Sequence, residues 1–165
     1  MSNIYTTTPR LALKAASKPT SVFGTRFSDI VSNLYSSLEE EIWFDDTDYD
    51  PAFDWAGDAD AVWHAIAEDA DVLTSLAPRS ANDLALHRMS GLVARAIRSE
   101  SLLELDDVRA RSAHCLDQAK HLRSPEIYYL LADAHECLDR MACLAGKQCS
   151  DEAASSVPWA QMLAA

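Results

Sequence analysis

The chain has 165 residues, enough to bury one real core, and 48% of them are hydrophobic, the norm for a folded domain and not for a disordered one. Only four glycines and six prolines interrupt an Ala- and Leu-rich sequence, which favours helix over strand and excludes a glycine-rich phosphate loop. Net charge is −12, which disfavours direct nucleic-acid binding, and no apolar run approaches the ~20 residues that span a bilayer.

Residues 1–26 hold Arg10, Lys14, Lys18 and Arg26 without a single acid, among many Ser and Thr. This composition predicts a mobile basic arm, or the leader of an exported effector. It lacks the apolar centre of a secretory signal, so the chain is expected to be cytoplasmic and its cysteines reduced.

Five helices are predicted to follow. The first runs over 28–44, with Phe27, Val31, Leu34, Leu38 and Ile42 at three- and four-residue steps. The second starts near Asp58 or Asp60, carries Trp63, Ile66, Ala70 and Leu73, and stops before Pro78. The third opens on Ser80 and Asp83, a capping-box-like pair, and presents Leu86, Met89, Val93 and Ile97. The fourth begins near Asp106 and Asp107, whose carboxylates suit a helix N-terminus, and repeats Val108, Cys115, Leu116 and Ala119. The fifth has Ser124 as N-cap and Pro125 at its first position, with Gly146 as its stop. Short connections at 77–80 and 123–125 make their flanking helices antiparallel neighbours. The expected fold is an all-α compact bundle of about five helices over 27–148, followed by a polar tail over 149–165. In that tail Trp159, Met162 and Leu163 share one helical turn.

The most informative feature is the stretch from Phe27 to Pro78, which has 14 acidic residues and no Lys or Arg. Within 38–60 lie ten carboxylates and five aromatics, so mutual repulsion is expected there unless a cation or basic surface relieves it. The expected function is non-catalytic: docking a basic partner protein, as an inhibitor or nucleic-acid mimic. Steering charge would come from Glu39, Glu40, Glu41, Asp45, Asp46, Asp48 and Asp50, and apolar anchorage from Trp43, Phe44 and Trp55. A calcium loop fits poorly. Asp46, Asp48, Asp50 and Asp54 occupy ligand positions, but Pro51 replaces the turn glycine and Gly57 the bidentate glutamate.

Four Asp/His couples occur at four-residue spacing: Asp60/His64, Asp83/His87, Asp117/His121 and His135/Asp139. Surface pairing is the expected role; a metal- or small-molecule-binding bundle using the histidines with Cys115 or Cys137 is the alternative. No Glu-x-x-His motif, close cysteine pair or Gly-x-Ser-x-Gly elbow is present, so neither cofactor nor enzymatic activity is expected.

Overall fold

A computed structural model describes the backbone of residues 21–45 and 55–155, and the side chains of 21–41 and 60–146. Its five helices are α1 (Val22–Asp45), α2 (Trp55–Ser75), α3 (Ala81–Ile97), α4 (Leu102–Ala119) and α5 (Pro125–Ser155). The all-α bundle expected from the sequence is the fold found, and no strand occurs among the described residues.

Each helix buries the stripe that its spacing marks. In α1, Phe27, Ile30, Val31, Leu34 and Leu38 are buried; in α2, Ile66, Ala70 and Leu73; in α3, Leu86, Met89 and Val93. In α4 and α5, Val108, Cys115, Ala119, Ile127, Leu131, Ala134, Cys137 and Leu138 complete one continuous core. Helix α3 is the centre, touching all four others, while α4 packs only on α3 and α5, and α2 only on α1 and α3. The short connections do make antiparallel neighbours. His87 of α3 lies opposite Thr74 of α2, with Arg98, just beyond α3, opposite Asp71. Ser112 and Arg109 of α4 face His135 and Asp139 of α5 in the same opposed order.

Four boundaries differ from the sequence reading, one of them the start of α2, which lies at Trp55 and not near Asp58 or Asp60. Helix α1 starts at Val22, so residues 22–26 belong to the bundle and not to the arm; Ser21 Oγ accepts the Gly24 N–H at 3.0 Å, and Phe23 is buried. Helix α4 starts at Leu102, several residues before Asp106. A Ser-x-x-Glu cap, Ser101 to Glu104, sets that start. Ser101 Oγ accepts the Glu104 N–H, and Glu104 Oε2 accepts the Glu100 N–H, both at 3.3 Å. Helix α5 passes through Gly146 to Ser155 and so takes in the start of the expected tail; no glycine among the described residues has positive φ, so Gly146 is no C-terminal stop. Residues 1–20 and the Trp159 segment lie outside the described residues.

The start of α3 follows the expectation. Ser80 Oγ accepts the Asp83 N–H at 3.0 Å. The second half of the box is shifted by one residue, because Asp83 Oδ2 accepts the Arg79 N–H at 3.3 Å instead of that of Ser80. Ser124 Oγ accepts from Asn82 Nδ2 at 2.7 Å, which ties the entry of α5 to the first turn of α3.

Candidate docking face

Helices α1 and α2 form the acidic side of the bundle. Glu39, Glu40 and Glu41 are exposed near the C-terminal end of α1. Trp43, Phe44 and Asp45 lie on the last turn of α1 and Trp55 opens α2, but their side chains are outside the described set. Asp46, Asp48 and Asp50, together with the EF-hand-like register, lie outside the described residues altogether.

The end of α1 is fastened to α2 by one polar contact: Trp63 Nε1 donates to Glu41 Oε1 at 2.8 Å. Trp63 is half-buried against the core, so the indole supplies packing below and a hydrogen bond above. Glu41 therefore holds the two helices together as well as contributing charge. Toward the middle of the pair, Ser36, Ser37 and Glu40 of α1 face Val62, Ala65 and Asp69 of α2 across a shallow groove of about 280 Å³. Small side chains line its floor, Val62 is 45% exposed, and Glu40 and Asp69 bring negative charge to its two sides.

The sequence reading placed its charged candidates on α1 and the following loop. It stopped short of Glu68, Asp69 and Asp71, which α2 exposes. The signal was present, since the stretch without Lys or Arg runs on to Pro78.

The two halves of the bundle handle their charge differently. On α4 and α5, Asp106 and Asp139 pair with Arg109 (3.2 and 3.6 Å), and Asp107 pairs with both Arg95 (3.0 Å) and Arg111 (2.9 Å). Asp117 pairs with Lys120 at 2.7 Å. The Lys120 hydrogen bond and charge hold the Asp117 carboxyl below its usual range, and Arg111 and then Arg95 do the same for Asp107. On α1 and α2 one described acid is paired from outside the two helices: Arg98 makes a two-pronged contact with Asp71 and lowers its carboxyl. Glu39, Glu40, Asp60 and Asp69 have no ion pair among the described residues, and neither α1 nor α2 has a basic residue in its last turn. Among the described residues the asymmetry seen in sequence is thus left uncompensated.

The expected Asp/His couples do not form. His64 pairs instead with Glu68 (3.3 Å), and His87 Nε2–H donates to the Thr74 carbonyl (2.9 Å) while Asp83 is turned to Arg79. Asp117 takes Lys120 in place of His121, and Asp139 takes Arg109 in place of His135. The competing donors won because Lys and Arg carry a full charge on a long stem, whereas a neutral imidazole offers one N–H. His135 Nδ1 lies 2.7 Å from Ser112 Oγ, which itself donates to the Arg109 carbonyl, so the imidazole N–H is the donor. Ser112 is fully buried, and the contact serves as a polar tie between α4 and α5. The histidines are spread over four helices and the turn after α4, and no three His, Cys, Asp or Glu converge as metal ligands among the described residues. Cys115 and Cys137 are buried core residues, with the Cys137 thiol pushed up to about 12 by burial; Cys143 is exposed.

No described helix is long and apolar enough to cross a membrane. No protein-family model matches the chain, and no curated protein or solved structure is significantly similar to it.

Proposed function

We propose that this protein is a non-catalytic binding module that docks a basic partner protein through the exposed side of α1 and α2, acting as an inhibitor or mimic of nucleic-acid phosphates. The observation that supports this reading is the unpaired acid of Glu39, Glu40, Asp60 and Asp69, set beside a bundle half in which Asp106, Asp107, Asp117 and Asp139 are neutralised by arginines and a lysine. Uncompensated like charge costs stability, and a basic surface relieves that cost on association. The groove between the helices, with Val62 and Ala65 in its lining, supplies the apolar contact that charge alone lacks. The aromatic cluster Trp43, Phe44 and Trp55 belongs to the same proposal, as anchorage beside the acidic rim.

An affinity capture from the native host tests it, with the wild type beside a variant carrying Gln or Asn at Glu39, Glu40, Asp45, Asp46, Asp48 and Asp50. Recovery of a basic, nucleic-acid-associated protein by the wild type alone is the expected result. Equal recovery of the same partners by both chains refutes the charged face as the determinant.

A further inference from the structure

A second feature lies at the opposite end of α1. A cleft of about 430 Å³ opens where the start of α1 meets the α2–α3 connection, walled by Val22, Phe23, Leu76 and Ala77 and flanked by Arg79 and Asp83. That volume is in the range of small-ligand sites, about 300–1,000 Å³. From Val22 to Glu40 is about 27 Å along the helix axis, so the cleft is separate from the docking face.

Asp83 is only 7% exposed. Its Oδ2 accepts the Arg79 backbone N–H, but its Oδ1 is buried with no hydrogen-bond partner, the single such side-chain atom among the described residues. A buried acceptor without a donor is costly, and natural proteins rarely leave one without a reason. Beside it, the Arg79 guanidinium has no ion pair or hydrogen bond among the described residues, and the N-terminus of α3 adds partial positive charge. Val22 is 65% and Leu76 37% exposed, so the apolar wall is also uncovered.

These three deficits define a ligand. A simple amine would satisfy Asp83 but meet the like charge of Arg79. A simple acid would satisfy Arg79 but meet the carboxylate. A zwitterion on a short apolar body satisfies all of them. We propose that this cleft binds a free apolar α-amino acid, its ammonium drawing the buried Asp83 carboxylate toward the cleft, its carboxylate accepting from Arg79 and its side chain against Val22 and Leu76.

The test is a titration of the full-length chain, followed by amide NMR and calorimetry. The probes are L-leucine, L-valine and L-phenylalanine, beside 2-phenylethylamine and 3-phenylpropionate, which each keep one charge. The expected result is saturable shifts at residues 21–23, 76–79 and 83 with at least one amino acid, and at least about tenfold weaker binding of both single-charge analogues. Asp83→Asn is expected to lose at least about tenfold in affinity. Arg79→Gln, at an exposed site where the fold does not depend on the side chain, is expected to lose a similar factor. No saturable shift from any of the three amino acids at about 10 mM overturns the proposal. Equal binding of a single-charge analogue, or unchanged affinity in both natively folded variants, overturns it as well.

Discussion

Replacing Gly146 by Ala separates two readings of the end of the bundle. If Gly146 were a C-terminal stop in the left-handed region, a Cβ would be strained there and the substitution would destabilise. In the structure Gly146 lies inside α5, nine residues before its last residue Ser155, without positive φ, and an added Cβ meets no atom within 4 Å. No packing term opposes the change. What remains is the backbone entropy that glycine loses in a helix, a difference of about 0.5–1 kcal/mol in favour of Ala. For a domain of this size that corresponds to a rise in melting temperature of about 1–4 °C. Thermal unfolding followed by circular dichroism, with urea unfolding to confirm an unchanged m-value, measures it. A loss of stability of similar size would refute the continuous helix and restore the stop. No change at all would mean that α5 beyond Met141 lies outside the cooperative unit.

Other measurements probe the caps, the charges and the thiols. Ser101→Ala removes the side-chain acceptor for Glu104 N–H and is expected to cost about 1 kcal/mol, read from urea midpoints; a neutral result would return the start of α4 to Asp106. Burial and then Glu136 raise the Asp133 carboxyl, so its ionised form is disfavoured in the fold. Asp133→Asn should therefore stabilise at pH 7, and the gain should vanish once the pH falls below the unfolded carboxyl range near 3.8, where both states of the wild type are protonated; a gain independent of pH would contradict this. Alkylation mapped by mass spectrometry should label Cys143 well before Cys115 and Cys137, whose thiols burial raises; early labelling of Cys137 would place it outside the core.

The helical faces were legible because burial imposes a 3.6-residue period that few other constraints mimic: Phe27, Val31, Leu34 and Leu38, or Leu131, Ala134 and Leu138, are marked by spacing alone. Boundaries were less so. Ser101 and Glu104 carry a capping-box signature, yet Asp106 and Asp107 two and three residues later are equally suited to a helix N-terminus, and local chemistry does not rank the two. Gly146 misled for a related reason. Glycine marks a stop only when the backbone turns left-handed, and whether it does depends on what the following residues dock against. The polar partnerships were the least legible. Four-residue spacing placed Asp60, Asp83 and Asp139 each on one helix with its His, but α4 ends before His121, Lys120 three residues on took Asp117, and Arg109 on α4 reached Asp139 on α5 through a contact that tertiary packing decides. The charge asymmetry was visible in full. What folding added is that, among the described residues, Arg98 makes the one ion pair from the balanced half to the acidic one, to Asp71, while Arg140 of α5 lies over the Tyr35 ring of α1.

That division predicts opposite responses of fold and complex to salt. In the free protein the like charges of Glu39, Glu40, Asp60 and Asp69 repel across exposed surface with no ion pair among the described residues, and α1 ends without a basic residue to meet its negative pole. Raising ionic strength from about 50 to 500 mM shortens the screening length several-fold, which weakens this repulsion more than it weakens the two- and three-membered ion pairs of α4 and α5 held at contact distance. The melting temperature of the free chain should therefore rise with salt. Docking on a basic partner runs the other way, because the same carboxylates supply the attraction, so affinity should fall steeply over the same range. The two curves, measured by thermal unfolding and by titration of the captured partner, share one set of charges. A variant carrying Gln or Asn at Glu39, Glu40, Asp60 and Asp69 should flatten both. A variant that flattened the binding curve while leaving the stability curve unchanged would show that the charges which bind are not those which repel, and would move the docking surface off the helix pair.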